Sequence, residues 1–194
     1  MQDRTKEIAV RKVVALELVS LDGVMEAPEG WASSYADDEI NEANASGMAA
    51  SDAMLLGRAT YEGLAAFWPH QPGGTPMVDH INSVPKHVVS GTLRGPLGWN
   101  NSTLVEGDPV EGIAELKHRP GKDITIIGSG VLVRSLLGVG LIDELSLMVH
   151  PIVLGSGKRL FEDGIERAEL ELVDAKTFGT GVVHLIYRPS GKEG

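Results

Sequence analysis

Two short glycine-bearing segments hold the residue types best suited to chemistry. Gly128-Ser129-Gly130 follows the strand-like run Asp123–Ile127 and precedes the apolar, helix-like run Val131–Leu137. A turn at such a junction offers backbone N–H groups and the positive end of a helix dipole, and together these favour a phosphate. Two well-known phosphate loops are excluded by spacing. The third glycine of the dinucleotide fingerprint would stand at 133, which is Val133. Gly155–Arg159 lacks both the four-residue spacer and the Lys-Ser/Thr ending of a Walker A loop. The second segment is "LLGRATYEG", Leu55–Gly63. Here a buried strand delivers Gly57, Arg58 and Thr60 to its C-terminal end, where ligands of open α/β sheets gather. Arg58 supplies a planar fork for phosphate, and Thr60 a hydroxyl beside helix-start amides. Taken singly, each segment reads equally well as a tight turn, a solvated arginine and a helix-capping threonine.

A carboxylate stands out elsewhere. Glu17 lies inside the apolar strand-like run Val13–Val19, where a charge needs a pocket or a partner. Ser20–Gly23 after it reads as a turn, with Asp22 bonding local amides and Gly23 at positive φ. The six histidines, at 70, 80, 87, 118, 150 and 184, form no short ligand pair, so a metal site is not expected. The chain has no cysteine, which excludes disulfides, thiol catalysis and Cys-based zinc sites. It has no G-x-S-x-G nucleophile elbow either.

The elements that must position these residues alternate. Strands are expected at Val13–Val19, Ala53–Leu56, Lys86–Ser90, Ser102–Gly107, Asp123–Ile127 and Asp143–Val149. Two closing strands follow, at about Glu169–Thr177 and Val182–Arg188. Helices are expected from Ser34 through the acidic stretch that follows, from Thr60 to Trp68, from Asp108-Pro109 to His118, and over Val131–Leu137. Residues 70–77, rich in Gly and Pro, read as a surface loop. Strand–helix alternation up to Val149 predicts a largely parallel sheet, and the closing hairpin an antiparallel edge. The 194 residues fit one domain, 1–194, with 1–11 expected to be flexible and 190–194 a tail. A net charge of −10 argues against binding a nucleic-acid backbone, while leaving room for a local phosphate site. No run spans a bilayer and no secretory signal is visible, so a cytoplasmic protein without membrane contact is expected.

In order and spacing, "SLDG", "LLGRATYE", "HVVSGTL", "IIGSGVLVRSLL" and "DELSLMVHPIVLGSGKRLF" resemble dihydrofolate reductase-like proteins. The closer likeness is to the reductase domain of bacterial riboflavin biosynthesis proteins, and it runs over nearly the whole chain. The resemblance implies a three-layer α/β sandwich and NADPH as cofactor. It assigns Gly128, Ser129, Gly130, Val131 and Leu132 to the pyrophosphate, with Gly57, Arg58, Ala59 and Thr60 as a second phosphate segment. Ser90 and Thr92 fall near the 2′-phosphate, and Leu18 and Met25 bracket the nicotinamide. The implied reaction is hydride transfer to a pyrimidine-ribosyl phosphate, as in 5-amino-6-(5-phosphoribosylamino)uracil reductases, or to a pterin-like substrate. A nucleotide-binding or sensing protein without turnover, an inert oligomeric homologue, and a reductase of an unrelated small molecule remain alternatives. Dihydrofolate reductases place a carboxylate on the first helix to assist protonation, and here Asp37, Asp38 or Glu42 stand in that region. These and Glu17 are the catalytic candidates, and the sequence does not choose among them. A homodimer is expected through the closing hairpin, because Val182, Val183, Leu185 and Ile186 put apolar side chains on both strand faces.

Overall fold

The computed structural model describes residues 10–191. Its eight strands are β1 (Val13–Ser20), β2 (Ser51–Gly57), β3 (Lys86–Val89), β4 (Ser102–Leu104), β5 (Asp123–Ile127), β6 (Glu144–His150), β7 (Leu170–Thr177) and β8 (Val183–Pro189). They form one sheet in the order β4-β3-β2-β5-β1-β6-β8-β7. All pairings from β4 to β6 are parallel, and β8 pairs antiparallel with both β6 and β7. Five α-helices accompany the sheet: α1 (Asp38–Ala49), α2 (Arg58–Phe67), α3 (Pro76–Ser83), α4 (Pro109–Lys117) and α5 (Gly130–Gly138).

Alternation along the strands divides the core between two faces. On one, Val13, Ala15, Leu55, Ile124 and Ile126 pack against Ile113 and Leu116 of α4 and against Leu132, Val133 and Leu136 of α5. On the other, Met54, Leu56 and Val88 meet Met48 of α1, Tyr61 of α2 and Ile81 of α3. Each such large apolar side chain, fully buried, contributes roughly 1.5–3 kcal/mol, which fixes the three layers. The expected α/β sandwich of the dihydrofolate reductase-like kind is the observed fold.

Three local expectations are corrected. Residues 76–83, with a loop expected only at 76 and 77 and no element beyond, form α3, started by Pro76 at its first turn and by the Thr75 hydroxyl, which accepts from Val78 N at 3.3 Å. The first long helix begins at Asp38 rather than Ser34, because Ala32–Tyr35 winds as a separate 3-10 turn and Asp37 then caps α1. Of the end segment expected to be flexible, residues 1–9 lie outside the described residues. Arg11 is buried, donating from Nη2 to Asp52 and from Nε to the Lys122 carbonyl. Of the expected tail, 192–194 likewise lie outside the described residues.

Candidate functional site

The C-terminal ends of β1, β2 and β5 converge on one edge of the sheet, where α2 and α5 begin. Gly128 and Ser129 both take left-handed backbone conformations, φ +67° and +74°, which turns the chain sharply from β5 into α5. The two expected phosphate segments interlock there. A Cβ placed on Gly57 would collide with the Ser129 side chain, and one on Gly128 would sit 3.1 Å from the Thr60 methyl. Only glycine at 57 and 128 lets the two turns touch. Neither helix start is closed by a side chain: the residue before α2 is Gly57, and the Ser129 hydroxyl makes no capping bond to α5. The first amides of both helices are therefore left without side-chain partners, which is the requirement for receiving an anion. The Arg58 guanidinium, half-exposed, lies along α2 and pairs with Glu62 Oε2 at 3.1 Å. Ala59 and Thr60 complete the first turn of α2, as Val131 and Leu132 do that of α5. Leu132 is buried in the core and Val131 exposed.

Met25 is brought to this edge by a tether that the sequence did not reveal. After β1 the chain turns through Gly23 (φ +80°) and runs beside 158–160. There Met25 N donates to the Lys158 carbonyl at 2.9 Å, and Leu160 N to the Gly23 carbonyl at 2.9 Å. Asp22 does not bond local amides as its turn suggested. It accepts from Leu154 N (3.0 Å), Gly155 N (2.9 Å) and the Ser20 hydroxyl (2.7 Å), and these donors hold its carboxyl well below the usual carboxylate range. A Cβ on Gly130 would lie 2.8 Å from Met25 Sδ, so Met25 lies directly beside the start of α5. Gly130 itself does not have positive φ; its small size makes room for Met25 and Arg134.

On the α1 side, Leu16 and Leu18 are only half-buried although β1 is a central strand. That partially exposed face of β1 lies on the side of α1, whose Gly47 comes close to Leu16. On the same face, Trp31 and Tyr35 stand edge-on to the buried His150 ring, with centroids 5.1 and 5.7 Å away. His150 Nδ1 bonds the Met148 carbonyl at 3.0 Å, and burial keeps the ring's pKa low. Of the α1 carboxylates considered for proton donation, Asp37 accepts from Ile40 N at 2.8 Å as the cap of the helix, while Asp38 and Glu42 are exposed. The half-buried Asn44, one turn after the buried Ile40, is the polar side chain of α1 that sequence reasoning passed over.

Ser90 lies at the end of β3, its hydroxyl accepting from Thr92 N at 3.1 Å and Leu93 N at 2.9 Å. Thr92 is exposed, and Arg94 beside it donates to the Gly91 and Leu93 carbonyls. Arg94 adds a cation that the sequence reading had not included. Glu17 lies on the α5 side of β1 and is 3% exposed. Burial pushes its pKa up to about 8, against the smaller opposing effect of the Gly128 N–H directed at it, and its Oε1 has no hydrogen-bond partner. Among the described residues no group of three or more His, Asp or Glu is placed to hold a metal ion. No helix there is long and apolar enough to cross a membrane.

Comparison with known proteins bears on this geometry. Residues 11–184 match the family described as RibD C-terminal domain. The Bacillus subtilis protein YyaP, itself uncharacterized, is 29% identical over 197 residues, covering 96% of this chain and 100% of its own. A putative riboflavin biosynthesis protein from Shewanella sp. PV-4 superposes with a TM-score of 0.75 at 24% identity, over 93% of this chain and 99% of that one. Dihydrofolate reductase from Enterococcus faecalis, complexed with NADP(H), shares the fold at 13% identity with a TM-score of 0.58, over 93% and 97% of the two chains.

Proposed function

The chain belongs to the RibD C-terminal domain family, and on that premise we propose that it is an NADPH-dependent reductase of a small heterocyclic substrate. The preferred substrate class is a pyrimidine-ribosyl phosphate, and a pterin-like compound is the second. The observation that carries this reading is the meeting of two uncapped helix starts, α2 and α5, locked together through Gly57 and Gly128 at the ends of parallel strands. Their amides suit two adjacent phosphates, and the charge they supply does not depend on the acidic composition of the chain. Thr60 and Ser129 fix the separation of the two turns. Arg58 can leave Glu62 for a phosphate with little loss, since exposed pairs of that spacing contribute only about 0.3–0.5 kcal/mol. Ser90, Thr92 and Arg94 stand at the end of β3, where a 2′-phosphate would distinguish NADPH from NADH.

Bound NADPH would supply the hydride. The chain's own part is to orient the ring between Leu18 and Met25, to exclude water with Trp31 and Tyr35, and to hold the substrate against the partly exposed face of β1 on the α1 side. Titrating the protein with NADPH and with NADH, followed by nicotinamide fluorescence, tests the cofactor assignment. Tighter binding of NADPH is expected, and no binding of either would refute it. Consumption of NADPH with a panel of pyrimidine and pterin substrates then tests turnover. A second reading, nucleotide binding without turnover, is favoured by one observation: Asp37 is engaged in capping while Asp38 and Glu42 face solvent.

A homodimer completes the proposal. β7 is almost wholly exposed and ends the sheet, with Leu172 and Val173 at 51% and 42% exposure. A depression of about 1370 Å³ adjoins the hairpin at the C-terminal end of α5, lined in part by Leu137, Ile142, Ile165 and Pro189. An uncovered apolar edge of this kind invites a second copy. Sedimentation equilibrium at micromolar concentration should give twice 20.6 kDa, and the monomer mass throughout would overturn the dimer.

A further inference from the structure

Glu17 has no role in the site as described, yet it lies beneath the turn that the cofactor reading depends on. β1 and β5 are paired as far as Leu16 and Ile127, so Glu17 stands opposite the point where β5 gives way to Gly128. The Gly128 N–H is directed at its carboxyl, and Oε1 is buried without a partner. Its neighbours on that strand face, Ala15 and Val19, and the core residues contributed by β5, β6 and α5 (Ile126, Leu147, Leu132) are apolar. The charged groups on the elements around it have partners of their own. Arg134 of α5 bonds the Arg159 and Leu160 carbonyls and Glu162, Arg159 pairs with Asp22, and Arg58 pairs with Glu62. His150 belongs to the opposite face of the sheet, in register with Ser20. Among the described residues no cation is in place to compensate an ionised Glu17.

We propose that Glu17 is a positioning residue whose neutral form favours phosphate binding, so that cofactor affinity is linked to one proton. The inference rests on the cofactor reading above. In the neutral form the carboxyl supports Gly128 and the left-handed turn without adding charge. On ionisation it places an anion behind the amides that receive the phosphates, and the two negative charges oppose each other through a dry core. By linkage, a phosphate that raises the carboxyl pKa by about one unit binds about tenfold more weakly once the proton is lost. The raised pKa, about 8, puts that transition just above neutrality.

The test is an equilibrium titration of the full chain from pH 7 to 10 at constant ionic strength, with NADPH and, separately, inorganic pyrophosphate. Affinity for both should fall about tenfold through pH 8 and then level off. Glu17→Gln keeps an acceptor for Gly128 and cannot ionise, so it should bind at pH 7 within about threefold of the parent and show no such step. A flat parent profile, or a step that persists in Glu17→Gln, overturns the proposal while leaving the cofactor reading intact. Lys86 also has a pKa lowered to about 8, and a step arising there would persist in the Gln variant. Failure to bind either ligand at any pH overturns both readings together. Thermal melts supply an independent check. An acid whose folded pKa is raised favours folding most below its unfolded value and loses that contribution as pH rises to the folded value. Glu17→Gln should therefore gain stability over the parent between about pH 4.5 and 8, and a constant difference would show that the carboxyl is not held neutral.

Discussion

The helix starts of this protein fall into two kinds. At α1, α3 and α4 a side chain closes the first turn: Asp37 bonds Ile40 N, Thr75 bonds Val78 N, and Asp108 bonds Val110 N and Glu111 N. At α2 and α5, both reached directly from the C-terminal ends of neighbouring parallel strands, no side chain does so. Helix starts without caps are less stable by about 1 kcal/mol each, and the other three show that this chain can provide a cap where one is useful. The exception is confined to the two places where Gly57 and Gly128 let the turns touch. Stability has been left aside at one edge of the sheet, in the pattern expected where a ligand supplies the missing acceptors.

The comparison breaks most visibly at Gly57. Its φ of −76° suits any residue, so an added methyl acts only by colliding with Ser129. Overpacking of this kind costs about 1–3 kcal/mol, so Gly57→Ala should lower NADPH affinity roughly ten- to hundredfold by forcing the turns apart. The double variant Gly57→Ala/Ser129→Gly removes the obstructing side chain and should restore most of the loss. Absence of rescue would mean that the two turns do not act as a unit. Arg58→Ala should do less. The guanidinium is half-exposed and already paired, so its exchange from Glu62 to a phosphate is expected to contribute about three- to tenfold in NADPH affinity. Fluorescence titrations identical to those of the parent would remove Arg58 from the site.

Much of this architecture could be read from the residues themselves. Apolar runs located all eight strands, and the largely parallel character of the sheet followed from the helices between them, though not the strand order. The Gly-Ser-Gly turn and "GRAT" could be placed at strand–helix junctions from the flanking apolar runs. Their assignment to phosphates came from the family resemblance, since each alone reads equally well as a structural turn. α3 was missed although Thr75-Pro76 carries the same start signal as Asp108-Pro109; the preceding Pro72-Gly73-Gly74 obscured it. The roles of Asp22 and Met25 were not legible, since their partners lie more than 130 residues away. Glu17 could be recognised as anomalous but not located, because a strand alone does not say which face meets α5. For the carboxylates of the first helix, composition could not choose among them, because acidic residues that mark a helix start also cap it, as Asp37 does, or face solvent, as Asp38 and Glu42 do.

The smallest effect expected is also the cleanest test of the two kinds of helix start. Asp108→Ala removes an acceptor shared by two orphan amides at α4, a helix start whose capping bonds do not involve the Gly57 and Gly128 turns. Loss of such a cap costs about 1 kcal/mol, which for a domain of this size lowers Tm by about 3 °C. NADPH affinity should not change. Ser129→Ala removes a hydroxyl that caps nothing and keeps the Cβ that packs on Gly57. In the absence of ligand its Tm should stay within about 1 °C of the parent, because no amide of α5 loses a partner. Saturating NADPH should raise Tm in the parent and in Asp108→Ala by equal amounts, since the stabilisation depends on ligand over Kd and the Asp108 cap bonds only α4 amides. A Tm loss in Ser129→Ala as large as that in Asp108→Ala would show that the start of α5 is capped after all, and the distinction between the two kinds of start would disappear.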